Sequence, residues 1–81
     1  MARVHLWGEL RNACDGAKVV EVDAGNVNQL ITALEERFPD LRSRGLSDMT
    51  VAIDGELMSD AGYEPIGPET EIHFLQPLAG G

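Results

Sequence analysis

Cysteine is almost absent from this sequence, and long apolar runs are missing altogether. The one cysteine, Cys14, has no mate within the chain for a disulfide, which favours a reducing compartment. No stretch approaches the run of about 18 apolar residues that a membrane-spanning helix needs, and the first residues lack the apolar run of a signal peptide. We therefore expect a cytoplasmic protein that does not enter a membrane.

Basic residues are also few. Six Lys and Arg stand against 14 Asp and Glu, which gives a formal net charge of -8 and a pI near 4.4. Such a surface repels phosphate backbones and anionic lipids, so nucleic acid is not an expected partner. A protein with a basic docking surface fits this charge better.

The length leaves little room for an enclosed active site. The chain has 81 residues, 43% of them hydrophobic, so it should fold as one small domain. A domain of this size has a thin core, and a deep pocket lined on all sides would consume much of it. An enzyme with its own buried active site is therefore disfavoured.

Five segments show the alternation or the β-branched content of half-buried strands. They are residues 4–10, 18–22, 49–53, 56–58 and 70–75. Turn-forming residues 12–16 separate the first two segments, and Asp54-Gly55 separates the third and fourth, so the chain predicts two hairpins and a final strand.

One helix is predicted between the hairpins. Asn26 has the character of an N-cap, Gln29 that of its capping partner, and Pro39 should end the regular helix near Arg37. The order ββαββ followed by a strand predicts an α+β fold of the ubiquitin-like β-grasp type, with a mixed sheet packed on one main helix. The predicted core consists of Val4, Leu6, Val20, Val22, Leu30, Ile31, Leu34, Val51, Ile53, Ile72 and Phe74.

The final six residues carry the most informative signal. Pro77 cannot donate a ladder hydrogen bond, so the domain should comprise residues 1–75 and a flexible tail residues 76–81. Gly80 and Gly81 lack Cβ atoms and can enter a cleft too narrow for other residues, which makes the Gly81 carboxylate a candidate reactive group. The alternative is a frayed end in which small residues are merely tolerated.

In its predicted order of strands and helix and in its final residues, the chain resembles the ThiS and molybdopterin synthase small-subunit (MoaD) family of ubiquitin-like sulfur carriers over nearly its whole length. The matching segments are the first strand from Val4, the helix from Asn26, Val51-Ala52-Ile53-Asp54-Gly55 and residues 66–81. The most specific segment is Thr70-Glu71-Ile72-His73-Phe74-Leu75-Gln76-Pro77-Leu78-Ala79-Gly80-Gly81.

The resemblance implies a chemical role for Gly81. An ATP-dependent, ubiquitin-activating-type enzyme would adenylate its carboxylate, and a sulfurtransferase would supply sulfur for a thiocarboxylate. The carrier would catalyse nothing and bind no cofactor, ATP being used by the partner. Pro77, Leu78, Ala79 and Gly80 would form the tail that carries Gly81 between active sites.

The resemblance leaves several functions open. The ending from Leu75 to Gly81 looks more like a molybdopterin synthase small subunit, whose acceptor is the large subunit. The alternative is a carrier for thiamin, whose acceptor is a thiazole synthase, or for another thiocarboxylate pathway. A ubiquitin-like modifier would use the same activation and attach Gly81 to a target lysine. A binding module without tail chemistry is the third class.

Strand alternation predicts a docking patch beside the tail. If Val4 and Phe74 face the helix, then Trp7, His73 and Leu75 face the uncovered side of neighbouring first and last strands. Aromatic anchors dominate many interfaces, so we interpret these residues as partner-binding. An incidentally exposed tryptophan is the simpler alternative.

Other candidate groups point to no chemistry. Cys14 lies in a polar turn without a basic neighbour and is interpreted as a tolerated surface thiol. His5 and His73 fall near opposite ends of the chain, and the carboxylates are scattered, so the spacing predicts no metal site.

Overall fold

The computed structural model describes residues 1–75, and residues 76–81 lie outside the described part. The predicted tail from Pro77 to Gly81 therefore has no structural account, and its flexibility stays a prediction. The elements are β1 (Ala2–His5), α1 (Gly8–Ala13), β2 (Val19–Val22), α2 (Val27–Arg37), β3 (Thr50–Ile53), β4 (Glu56–Met58) and β5 (Glu71–Leu75). Two short 3₁₀ helices, Pro39–Arg44 and Leu46–Asp48, connect α2 to β3.

The strands form one mixed sheet in the order β2-β1-β5-β3-β4. The first and last strands are parallel neighbours at its centre, with Val4 opposite Ile72, and the other pairs are antiparallel. A mixed sheet with a main helix on one face is the β-grasp arrangement, so the predicted fold is confirmed.

Helix α2 begins as its sequence predicts. The Asn26 side chain accepts a hydrogen bond of 2.8 Å from the Gln29 backbone N–H, and Gln29 Oε1 accepts one of 2.8 Å from Gly25 N–H. The return bond therefore reaches the residue before the cap rather than the cap itself. The helix ends at Arg37, since Pro39 disfavours a helical Phe38.

The core lies between α2 and one face of the sheet. All eleven predicted core residues are buried, among them Leu30, Leu34 and Phe74 with no exposed surface. Because strand alternation sends every second residue to the other side, Arg3, His5, Glu71, His73 and Leu75 belong to the opposite side, here called the open face.

The first predicted strand is wrong beyond His5. Residues 8–13 form α1 instead, which Gly8 begins at φ +55°, a value that glycine adopts without strain. Leu10 and Ala13 are three residues apart and lie on one helical face in the core. The apolar alternation of β1 continues to Leu10 in the sequence, although the spacing of Leu10, Ala13 and Cys14 also fits one face of a helix.

The interpretation of Cys14 as a surface thiol is also wrong. The residue caps α1 and has no exposed surface, because the helix turns it toward the core. Residues 40–48, for which the sequence predicts no helix or strand, contribute Leu41 and Leu46 to the same core from the two 3₁₀ helices. A single apolar residue per short helix leaves no period for a sequence pattern to detect.

Candidate functional site

Strand β5 delivers the chain to the end of the sheet. It is a central strand with β1 on one side and β3 on the other, and Leu75, its last residue, pairs with Thr50. The segment that follows is thus attached to the middle of the domain rather than to a loose edge. Trp7 lies at the same end, two residues after the last residue of β1.

Two histidines meet on the open face close to this point. The parallel register places His5 opposite His73, and their rings stack with centroids 4.5 Å apart and planes 5° apart. His5 Nε2 lies 2.7 Å from Glu71 Oε1, a hydrogen-bonding distance when Nε2 carries the proton. His5 and His73 are 68 positions apart in the chain, yet they form one cluster in the fold. Their sequence spacing alone gives no sign of this contact.

The stacked histidines belong to a continuous row across the sheet, which we call the open-face row. Each member is directly opposite the next, in the order Val19, His5, His73, Ala52 and Leu57. Val19 is 44% and Leu57 61% exposed at the two ends. The adjacent row is charged, with Arg3 opposite both Glu21 and Glu71. The open face therefore offers an apolar and imidazole stripe beside charges.

Trp7 is exposed but does not extend strand β1. Its backbone is extended, it precedes α1, and its side chain is anchored by a hydrogen bond of 3.2 Å from Nε1–H to the Phe74 carbonyl. The residue is 46% exposed. A shallow pocket of about 250 Å³ opens beside it, with Leu10, Met49 and Arg44 in its lining.

His73 and Leu75, the other two residues predicted to bind a partner, are half-buried on the open face. The neighbouring first and last strands on which this prediction depended are confirmed. That the three residues bind a partner stays a prediction. Val19 and Leu57 were missed, because only the register of the edge strands aligns them with His5 and His73.

The Cys14 thiol is protected rather than reactive. Burial raises its pKa, the Asp15 carboxylate raises it further, and Arg37 offsets part of the increase. The thiolate, which is the nucleophilic form, is thus disfavoured at neutral pH. Cys14 is a core residue of the domain and offers no nucleophile to a site.

Within residues 1–75, no three His, Cys, Asp or Glu side chains are arranged to hold a metal ion. Nor does any helix in that part of the chain combine the length and apolarity needed to cross a bilayer. The candidate site consists of Trp7, His73 and Leu75, near the point where the chain continues toward Gly81, and its use as a docking surface stays a prediction.

Comparison with known proteins gives one family match. The model of the ThiS family matches residues 4–81, nearly the whole chain. No curated protein matches the sequence.

Three solved structures share the fold at low sequence identity. A chain of the BexX/CysO complex from Amycolatopsis orientalis superposes with a TM-score of 0.84 and 21% identity, covering 100% of both chains. SAMP1 from Haloferax volcanii has a TM-score of 0.75 and 22% identity, covering 99% of this chain and 98% of that one. The small archaeal modifier protein 1 from Methanosarcina acetivorans has a TM-score of 0.78 and 20% identity, covering 99% and 95%.

Proposed function

The chain belongs to the ThiS family of ubiquitin-like sulfur carriers, and we propose that it carries sulfur as a thiocarboxylate on Gly81. The observation that carries this proposal is the extent of the family match, which runs through the glycines to residue 81. The last described element, β5, ends at Leu75 and is the middle strand of the sheet. The segment 76–81 thus follows a firmly held strand.

The chemistry needs two steps, both performed by partners. The Gly81 carboxylate attacks the α-phosphorus of ATP, forming an acyl-adenylate and releasing pyrophosphate. Hydrosulfide then attacks the acyl carbon, the carbon–oxygen bond to AMP breaks, and a thiocarboxylate remains. Adenylation is required because a carboxylate oxygen is otherwise a poor leaving group.

The length of the segment supports such a division of labour. Six residues follow Leu75 and can span at most about 20 Å. The domain can therefore dock outside an active site while Gly81 enters it. Ala79, Gly80 and Gly81 have the smallest side chains, which suits a narrow channel.

The open face is the proposed docking surface for the partners. His73 and Leu75 would contact them on this face, and Trp7 would contact them at the end of the sheet where β5 stops. Val19 and Leu57 would extend the contact across the sheet. The net charge of -8 favours partners with a basic docking surface and speeds their encounter. These partners are an adenylating enzyme, a sulfurtransferase and an acceptor enzyme.

The acceptor we favour is a molybdopterin synthase large subunit, because of the ending from Leu75 to Gly81. A thiazole synthase-like acceptor is the alternative within the same chemistry. The carrier itself would bind no cofactor, with ATP consumed by the activating enzyme. Its acidic surface argues against nucleic acid as a partner, and the lone Cys14, which has no mate within the chain for a disulfide, favours a reducing compartment such as the cytoplasm.

A protein-modifier function is the second candidate. Two of the structures with this fold are of small archaeal modifier proteins, and activation of a terminal glycine would serve either use. Amide formation with a target lysine would replace attack by hydrosulfide. Lys18 is the one lysine of the chain and is exposed, so self-conjugates through lysine could form only there.

Intact-mass spectrometry tests the proposal. After incubation with ATP, the activating enzyme and hydrosulfide, the mass should rise by the difference between sulfur and oxygen, located in the C-terminal peptide. A mass that never changes with a demonstrably active enzyme would refute sulfur carriage. Gly81 adducts on lysines of other proteins would favour the modifier function instead.

Deleting Gly81 should abolish the reaction. The carboxylate would move back by about 3.5 Å, and a misplacement of about 1 Å can already cost a hundredfold in rate. Gly81→Ala separates the two requirements, since it keeps the position of the carboxylate and adds only a Cβ, so any loss in it reports the width of the cleft rather than the length of the chain. Both variants should keep the melting temperature of the parent, and full activity of the deletion would contradict the proposal.

A further inference from the structure

The ladder between β1 and β5 ends in an unusual way. Arg3 N–H donates to the Thr70 carbonyl at 2.8 Å, and bonds in a parallel ladder recur evenly along the strands. Ile72 and then Phe74 supply the next carbonyls in that line, facing His5 and Trp7. At the Phe74 carbonyl, the donor is the Trp7 indole N–H at 3.2 Å, a side chain in the place of a backbone rung.

The backbone of Trp7 is fixed by helix α1, in addition to the hydrogen bond that its side chain makes to β5. Its carbonyl accepts a hydrogen bond of 3.1 Å from Leu10 N–H in the first helical turn, and Gly8 at φ +55° turns the backbone away from β5. The backbone thus leaves the sheet at this point, while the indole reaches back to it. The end of β5 pairs with β3 on one side. On the other side, the indole adds a donor to the Phe74 carbonyl just beyond the last β1 pair, His5 with His73.

We propose that Trp7 is a positioning residue that latches the end of β5 and so sets the point from which the chain continues to Gly81. The consequence for sulfur transfer rests on the proposed function, whereas the latch itself does not. Without the indole N–H, the Phe74 carbonyl loses its donor on the β1 side. The backbone from the Phe74 carbonyl to the half-buried Leu75 can then open from the sheet more often, while the Phe74 side chain stays in the core.

Such separation would change the effective length of the tail. Release of Leu75 from β5 would add about 3.5 Å to the reach of the residues that follow it. A partner whose active site fits one distance between the docked domain and Gly81 would then encounter molecules with different distances. Residues released from β5 would also have to be ordered again on binding, which costs conformational entropy. The latch therefore keeps the distance from the docked domain to Gly81 constant.

Amide hydrogen exchange in the free protein tests the latch directly. Trp7→Phe removes the donor and keeps an aromatic ring, and Tyr63→Phe is the matched control, because Tyr63 is 87% exposed and forms no part of the site. One net hydrogen bond corresponds to about a two- to tenfold change in protection. We expect that loss at Phe74 and Leu75 in Trp7→Phe only.

The pattern of the loss decides the interpretation. Unchanged protection at Phe74 and Leu75 would overturn the latch. So would an equal loss at Val51 and Leu34, because it would indicate general destabilisation rather than a local opening. The single tryptophan also gives one indole N–H resonance, whose slow exchange should report the bond in the parent.

A second measurement combines Trp7→Phe with deletion of Gly81. If the latch sets the tail length, peeling of Leu75 can compensate for the missing residue, and the deletion should cost less activity in the Trp7→Phe background. A docking role alone predicts the same loss in both backgrounds, which would overturn the proposal. If no form is adenylated, the proposed function fails, while the exchange result still decides the latch.

Discussion

The two faces of the sheet differ in how deeply their side chains are buried. On the face beneath α2, Val4, Ile72 and Phe74 have no exposed surface and form the centre of the core. On the open face, Val19 and Leu57 stay largely exposed, and two histidines stack between them. Successive side chains of the same strands point alternately to these two faces. One half of the residues in these strands therefore packs in the core, and the other half lies on the face that we propose as a docking surface.

The largest expected effect is on the covered face. Leu34→Ala should lower the free energy of unfolding by about 2–5 kcal/mol, because a fully buried side chain is removed and a cavity remains. Leu57→Ala is the matched control on the open face, where the same truncation should cost under about 0.5 kcal/mol. Chemical denaturation of both variants measures the difference. Equal losses would erase the distinction between the two faces.

A smaller effect is expected in binding. Trp7→Ala should weaken binding to the activating enzyme by about 2 kcal/mol if the residue is a central anchor beside the tail. Added salt should mainly slow association, since it screens the attraction of a protein with a net charge of -8. Titration calorimetry and stopped-flow mixing give the two quantities. Unchanged affinity would remove Trp7 from the interface.

The smallest effect concerns Cys14 on the covered side. Burial raises the pKa of its thiol, so the folded state disfavours the thiolate. Its contribution to stability is full below the thiol pKa of the unfolded chain, about 8.5, and is lost as pH rises through the higher folded value. The stability difference between the parent and Cys14→Ala should therefore shift against the parent from pH 7 to pH 10. No shift would mean that the thiol is not desolvated.

Much of the fold could be predicted because its signals are local. Asn26 and Gln29 lie three residues apart and cap one helix, and the predicted limit at Arg37 is confirmed. The eleven predicted core residues are buried because period two and period 3.6 each mark one face of an element. Helix α1 was missed because it is only six residues long and directly follows a strand whose alternation continues into it.

The candidate site was predicted in part. His73 and Leu75 were assigned to the open face from alternation, and the described structure agrees. The contact of His5 with His73 and Glu71 could not be predicted, because these residues meet only through the parallel register of β1 and β5. The bond from Trp7 to Phe74 needs, in addition, the turn at Gly8.

The sequence by itself determined the class of fold, the limits of α2, the acidic surface and the resemblance carried by its last residues. These properties depend on composition and on neighbours a few positions apart, which the order of residues specifies directly. The tertiary structure decided which strands are adjacent, that Cys14 is buried, and that Trp7 replaces a rung of the ladder. Those features depend on hydrogen-bond register and packing between segments distant in the chain, which only the folded backbone brings together.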